Sequence, residues 1–126
     1  MKTIILDMQS MLYAKALRRV LAQELEDCQV VLSEGPARTA EQCRLLQPEA
    51  LLLEVTDHSP WSVEDRLALL CEARRSDPGC KSLLLVDEGA AGTVAQVKRA
   101  KQRGSVDGFL FTSASETYLA AVVDSL

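Results

Sequence analysis

The chain has 126 residues, a length that fits one domain able to bury its own hydrophobic core. Hydrophobic residues make up 48% of it and charged residues 25%, a balance that argues against intrinsic disorder. The formal net charge of −4 also argues against a basic surface for a phosphate backbone, so we expect no nucleic-acid binding by this domain alone.

The N-terminal segment and the cysteines bear on the cellular compartment. Only the short run 3–6 precedes Asp7, which is too little for a signal peptide or a membrane span. We therefore expect a cytoplasmic protein with no membrane partner and with reduced, mostly buried thiols. Because the cysteines form no Cys-x-x-Cys pair and His58 is the only histidine, we expect no metal site. The cysteines are Cys28, Cys43, Cys71 and Cys80.

Five short aliphatic runs recur along the chain and predict five β-strands. Two of them, 50–53 and 83–86, are apolar without alternation, which is typical of strands covered on both faces in a parallel sheet. The predicted strands are 3–7, 29–33, 50–55, 82–86 and 108–112.

Amphipathic segments separate these runs and predict five helices. In the third, Ser62 is a good N-cap, acidic residues follow it in the first turn, and Arg74 and Arg75 stand at the end. Acid at the start and base at the end match the helix macrodipole. The last segment opens on Ser-Ala-Ser-Glu at 113–116, which predicts a capping box. The predicted helices are 11–25, 37–46, 62–75, 93–103 and 113–126.

The order βα, repeated five times without a linker, predicts one domain over 1–126. Right-handed crossovers then give an α/β fold with a five-stranded parallel sheet in a three-layer α/β/α sandwich, the flavodoxin-like (βα)5 arrangement. The working site of such folds lies outside the carboxyl ends of the strands. We therefore expect the functional residues at 7–9, 54–59, 86–89 and 112–115.

Three stretches carry a more specific similarity through their order and spacing. They are 2–7 (Lys-Thr-Ile-Ile-Leu-Asp), 47–54 (Gln-Pro-Glu-Ala-Leu-Leu-Leu-Glu) and 106–112 (Val-Asp-Gly-Phe-Leu-Phe-Thr). With the five βα units, they resemble the receiver domain of bacterial two-component response regulators over essentially the whole chain.

The resemblance implies a phosphorylation site, and this sequence departs from it at four positions. In the family, two acids after the first strand hold Mg²⁺ and an aspartate after the third accepts the phosphoryl group. A Ser or Thr after the fourth strand senses the phosphate, and a lysine after the fifth pairs with it. Here the acid pair falls on Asp7 and Met8, the acceptor on Glu54, the hydroxyl on Val86 and the lysine on Thr112.

Each departure removes part of the chemistry. A Met8 thioether is not a ligand for Mg²⁺, and the Glu54 carboxylate is displaced by one methylene from the attack position. Val86 cannot donate to a phosphate oxygen, and Thr112 supplies no positive charge to a transferring phosphoryl group. We therefore predict a degenerate receiver (pseudo-receiver) that is not an enzyme, has no catalytic residue and needs no cofactor. It would act as a phosphorylation-independent interaction module in signalling or transcription regulation.

Several alternatives stay open at this point. Glu54 either mimics phospho-aspartate, projecting its charge towards the fourth and fifth strands, or is a solvated carboxylate without a role. Asp57, beside His58, is either a non-standard phosphoacceptor or a turn former. A small flavodoxin-like ligand-binding protein or enzyme is a further alternative, although 8–11 (Met-Gln-Ser-Met) makes a poor phosphate loop.

Two aromatic residues also have open roles. Phe109 falls on the family's switch aromatic, but without a hydroxyl at Val86 we expect it to pack in the core. Trp61 is either an exposed contact residue or folds over the third helix.

Basic residues crowd the end of the fourth helix and suggest an interaction surface. Lys98 and Arg99, together with Lys101 and Arg103, either complement the helix dipole or form part of a partner surface. The resemblance favours a homodimer or a protein partner bound through the fourth helix, fifth strand and fifth helix, with Tyr118 at its edge. DNA would be bound only through a further domain after 126.

Overall fold

The five aliphatic runs form one parallel sheet, and the amphipathic segments form five helices. The structure, a computed structural model, describes all residues from 1 to 126. The strands are β1 (Lys2–Asp7), β2 (Cys28–Leu32), β3 (Ala50–Val55), β4 (Lys81–Val86) and β5 (Gly108–Phe111). The helices are α1 (Met11–Glu24), α2 (Pro36–Leu46), α3 (Val63–Ser76), α4 (Ala91–Gln102) and α5 (Glu116–Asp124). The predicted fold class is confirmed.

The strand order is β2-β1-β3-β4-β5, with all neighbours parallel. Successive side chains of a strand point to opposite faces, so the leucine runs of β3 and β4 supply both sides of the sheet. Leu52 and Leu85 pack with α1 and α5, whereas Leu51 and Leu84 pack with residues of α3 and α4. Two layers of helices therefore cover the central strands, which explains why their sequences do not alternate.

Three serines begin helices and fix where they start. Ser10, Ser62 and Ser115 each accept a hydrogen bond from the backbone N–H three residues later, at 3.2 Å. This confirms the predicted N-cap at Ser62. The capping box predicted over 113–116 is wrong, because the cap is Ser115 and α5 begins at Glu116.

The other helix and strand boundaries differ only slightly from the predictions. α4 begins at Ala91, two residues earlier than predicted, and Thr112 follows β5 instead of ending it. α2 begins at Pro36 directly after Gly35, whose φ of +130° suits glycine alone.

The cysteines are free, and their exposure is mixed. Cys43 and Cys80 are buried, Cys28 is half-buried and Cys71 is exposed, so the prediction of mostly buried thiols is wrong for Cys71. Burial raises the pKa of the Cys43 thiol to about 11 and that of Cys80 to about 12. None of the five helices combines the length and hydropathy needed to cross a membrane.

Candidate functional site

An open pocket of about 480 Å³ lies at the carboxyl ends of the strands, where the fold places its working site. It brings together the predicted positions Glu54, Asp57 and Thr112. Its wall contains acids and hydroxyls but no lysine, arginine or histidine. The lining residues are Tyr13, Glu54, Val55, Thr56, Asp57, Asp87, Ala90 and Thr112.

Asp7 ends β1 beside this pocket and is buried in an ion pair with Arg66 of α3. The side chains of Asp7 and Arg66 are 1% and 0% exposed. Nη1 of Arg66 donates to Oδ2 of Asp7 at 2.9 Å, and Nη2 lies 3.3 Å from Oδ1. Thr39 of α2 also donates to Oδ2, at 2.7 Å. Both carboxylate oxygens of Asp7 are thus engaged by the protein itself.

The guanidinium of Arg66 has further contacts with the backbone and with an aromatic ring. Nη2 donates to the carbonyl oxygen of Asp7 at 2.8 Å, and Nε donates to the carbonyl oxygen of Glu54 at 2.9 Å. Its carbon Cζ lies 5.0 Å from the centroid of the Trp61 ring, within the range of a cation–π contact. Arg66 therefore joins the ends of β1 and β3 beneath the Trp61 side chain.

These residues do not fit the Mg²⁺ that the resemblance implies. Mg²⁺ needs oxygen ligands with free lone pairs in octahedral geometry. Arg66 and Thr39 engage the Asp7 carboxylate, and Met8 is buried in the hydrophobic core shared with α1 and α5. No group of three or more His, Cys, Asp or Glu side chains is arranged to hold a metal ion.

The carboxylate of Glu54 faces the loop between β1 and α1. Its Oε1 accepts hydrogen bonds from the backbone N–H of Gln9 at 2.8 Å and of Ser10 at 3.1 Å. Of the two alternatives for Glu54, the mimic that projects its charge towards β4 and β5 is the less favoured, because the backbone N–H groups of the loop before α1 bind the carboxylate. Burial, and then the nearby Glu54 charge, raise the pKa of the Tyr13 phenol.

The remaining two family positions lie at the ends of β4 and β5. Val86 is fully buried in the core cluster on the α3 and α4 side of the sheet, so its side chain does not line the pocket. The Thr112 N–H donates to the carbonyl oxygen of Val86 at 2.9 Å, and its half-buried side chain lines the pocket. Asp87, directly after Val86, adds a carboxylate to the same wall.

Asp57 lies in the exposed loop between β3 and α3. Its carboxylate pairs with the ring Nδ1 of His58, and both side chains are largely exposed. A backbone hydrogen bond from Thr56 N–H to the Trp61 carbonyl closes the loop. Trp61 is half-buried against Arg66, so it folds over the start of α3 instead of standing free in solvent.

The predicted interface residues lie away from the pocket. Lys98, Arg99 and Tyr118 are exposed, and none of them forms a salt bridge within the chain. Phe109 is half-buried and packs edge-to-face on Phe111, with ring centroids 5.9 Å apart.

Sequence reasoning missed Arg66 and Thr39, and it covered Asp87 only as part of the expected range 86–89. A signal for Arg66 was present, because the buried positions of α3 are Val63, Arg66, Leu70 and Ala73, at helical spacing. An arginine within an apolar stripe needs a buried partner. The sequence alone did not reveal that this partner is Asp7, 59 residues away.

No family model matches the chain, and no curated protein matches it in sequence. Solved structures do match it in fold. The signal receiver domain of a Luxo repressor protein from Vibrio parahaemolyticus has 16% sequence identity and a TM-score of 0.78, with 98% of this chain and 88% of that chain covered. A DNA-binding response regulator of the LuxR family from Staphylococcus aureus has 13% sequence identity and a TM-score of 0.77, and the match covers 99% of this chain and 98% of that chain.

A third similar structure is a CheY-like response regulator receiver domain protein from Methanospirillum hungatei JF-1. Its sequence identity is 11% and its TM-score 0.77, and the match covers 99% of this chain and 92% of that chain. The chain therefore has the CheY-like fold of response-regulator receiver domains.

Proposed function

We propose that the chain is a pseudo-receiver: a non-enzymatic signalling domain that binds a protein partner without being phosphorylated. The observation that carries this proposal is the charge of the pocket. Glu54, Asp57 and Asp87 line it, and no cationic side chain does. A regulatory role in the cytoplasm, in signalling or transcription, belongs to the same proposal.

Electrostatics opposes phosphoryl transfer in such a pocket. The transferring group carries negative charge on its oxygens, and enzymes stabilise it with metal ions, lysines or arginines. The guanidinium of Arg66, which contacts Asp7 and the Glu54 carbonyl oxygen, is 0% exposed and committed to these partners. Three carboxylates without an available counter-charge repel a phosphoryl donor.

Incubation with acetyl phosphate and Mg²⁺, followed by intact-mass measurement, tests this proposal. We expect no phosphoryl adduct on the wild-type chain. An adduct that disappears in Asp57→Ala would instead support phosphorylation at the non-standard acid. An adduct that persists in Asp57→Ala and disappears in Glu54→Ala would show that the acceptor position has kept its chemistry. Either adduct contradicts the proposal.

The output surface that we propose is the face formed by α4, β5 and α5. Four exposed basic side chains near the end of α4 form no ion pair within the chain, and Tyr118 is 56% exposed. They are Lys98, Arg99, Lys101 and Arg103. A homodimer or a protein partner would use this face, and DNA would be bound only through a separate domain.

Sedimentation velocity at high concentration tests the homodimer. We expect a dimer that Tyr118→Ser weakens, whereas Leu45→Ser, which removes a 62% exposed leucine from α2, leaves it intact. A monomer at the highest concentration, or equal effects of both substitutions, would contradict dimerisation through this face.

The flavodoxin-like alternative has a specific observation against it. A flavin or nucleotide phosphate would be bound by free backbone N–H groups in the loop after β1, just before α1. Here the N–H groups of Gln9 and Ser10 already bind the Glu54 carboxylate. We therefore expect no thermal shift with FMN or nucleotides, and a saturable shift would favour this alternative.

A further inference from the structure

We infer that Arg66 is a built-in cation: its guanidinium takes the place of a divalent metal ion and holds the end of the sheet in one arrangement. This inference deepens the proposed function, on which it rests, because it explains how the site keeps its form without metal or phosphate.

The buried carboxylate of Asp7 requires a counter-charge. A carboxylate that is only 1% exposed needs a cation beside it to offset the loss of hydration. Arg66 supplies the positive charge through two contacts with the carboxylate and one with the Asp7 carbonyl oxygen. An incoming metal ion would have to displace a completely buried side chain from all of these oxygens.

The guanidinium of Arg66 also joins several elements of the fold. Arg66 extends from α3 to Asp7 at the end of β1 and to the carbonyl oxygen of Glu54 near the end of β3. Asp7 in turn accepts from Thr39 of α2, whose hydroxyl lies 2.6 Å from that of Ser33, after β2. One network of hydrogen bonds, with Asp7, Thr39 and Arg66 buried at its centre, therefore ties three strand ends to two helices.

The guanidinium of Arg66 is a permanent part of the site, because it is covalently attached to the chain and guanidinium groups are charged in proteins. Trp61 covers it at 5.0 Å. The presence of a cation beside Asp7 therefore depends neither on the metal concentration nor on a phosphoryl donor.

Metal titration of the wild-type chain is the direct test. Trp61 is the only tryptophan, so its fluorescence reports on the surroundings of Arg66. We expect neither its fluorescence nor the melting temperature to change with millimolar Mg²⁺ or Mn²⁺. A saturable change in the wild type that Asp7→Asn abolishes would overturn the inference.

Removal of the guanidinium gives the complementary test. We expect Arg66→Ala to lower the melting temperature, and added Mg²⁺, Mn²⁺ or methylguanidinium to recover part of the loss in proportion to its concentration. Arg74→Ala is the matched control, because Arg74 also lies on α3 and also bonds a backbone carbonyl, that of Ser105, at 3.0 Å. We expect this control to show no recovery. Recovery of neither variant, or equal recovery of both, would overturn the inference.

If Arg66→Ala does not fold, a neutral pair keeps the inference testable. Asp7→Asn with Arg66→Met removes both charges, and we expect the double variant to fold and to melt above Arg66→Met alone. A double variant no more stable than the single one would overturn the inference.

The outcomes separate the inference from the proposed function. Metal binding by the wild type without a phosphoryl adduct would overturn the built-in cation and leave the proposed function intact. A phosphoryl adduct that forms without metal would do the reverse.

Discussion

Nη2 of Arg66 lies 2.8 Å from the backbone carbonyl oxygen of Asp7 and 3.3 Å from that residue's carboxylate, so one nitrogen contacts both the main chain and the side chain of its partner. This geometry fixes the last residue of β1 against α3. It also supplies the positive charge that a buried carboxylate at this position needs.

Removing one partner of the buried ion pair between Asp7 and Arg66 should destabilise the fold. Arg66→Met leaves the Asp7 carboxylate buried without a counter-charge, and we expect a loss of about 3–5 kcal/mol in the free energy of unfolding, measured by urea denaturation. Arg44→Met is the control, since Arg44 and Glu41 form an exposed ion pair on α2, and solvent screens such a pair so that its loss should change stability little. Equal losses in the two variants would contradict the assigned burial.

A second prediction concerns Asp77, at the end of α3. Its Oδ2 is buried without a hydrogen-bond partner, and burial, followed by the Glu49 charge, raises its pKa. A raised folded pKa means that folding favours the protonated acid, so the carboxylate destabilises the fold above that pKa. We expect Asp77→Asn to stabilise the protein at pH 7, and the gain to vanish as the pH falls below the unfolded pKa of about 3.9.

Urea unfolding at several pH values measures this gain. Asp124→Asn, at the exposed end of α5, controls for the simple loss of a carboxylate. If the gain in the free energy of unfolding from Asp77→Asn stayed constant down to acidic pH, it would argue against a buried, destabilising charge at Asp77.

The phenol of Tyr13 supports a third prediction. Its hydroxyl oxygen is buried and has no hydrogen-bond partner, so removing it should release a desolvation penalty of about 1–3 kcal/mol. We expect Tyr13→Phe to be more stable than the wild type by up to that amount in thermal or urea unfolding. Tyr118→Phe, at an exposed tyrosine, should be neutral. Destabilisation by Tyr13→Phe would mean that the hydroxyl has a partner in solution.

The thiols should react in a defined order. Cys71 is exposed, whereas burial raises the pKa of Cys43 to about 11 and that of Cys80 to about 12. Because the thiolate is the reactive form, we expect a thiol reagent to modify Cys71 rapidly in the native protein and Cys43 and Cys80 only after unfolding. Loss of the rapid phase in Cys71→Ser checks the assignment, and rapid modification of Cys43 would refute it.

The sequence predicted the strands and helices closely because the signals for them lie within a few residues of one another. The leucine runs of β3 and β4 lack alternation, since both faces of these strands are covered, and Ser62 caps α3 through a hydrogen bond three residues away. The errors in the predicted helices and strands lie at the first and last residues of these elements. The capping box was placed two residues early because Ser113 and Ser115 are both acceptable caps by residue type, and only the backbone path after β5 selects Ser115.

The sequence predicted which strand ends lie together but not the contacts that their side chains make. The topology puts Glu54, Asp57 and Thr112 at one pocket, as the strand ends indicated. The direction of the Glu54 side chain depends on the N–H groups of Gln9 and Ser10, which lie 45 and 44 residues away in sequence. Propensity and spacing contain no information about such a contact.

The sequence by itself determined the five βα units, the parallel sheet and the residue types at the strand ends, because each of these depends on residue type and near-neighbour spacing. Only the tertiary structure decided which contacts these residues make. The pairing of Arg66 with Asp7 closes a separation of 59 residues, and it forms because burial of either charge is too costly without the other.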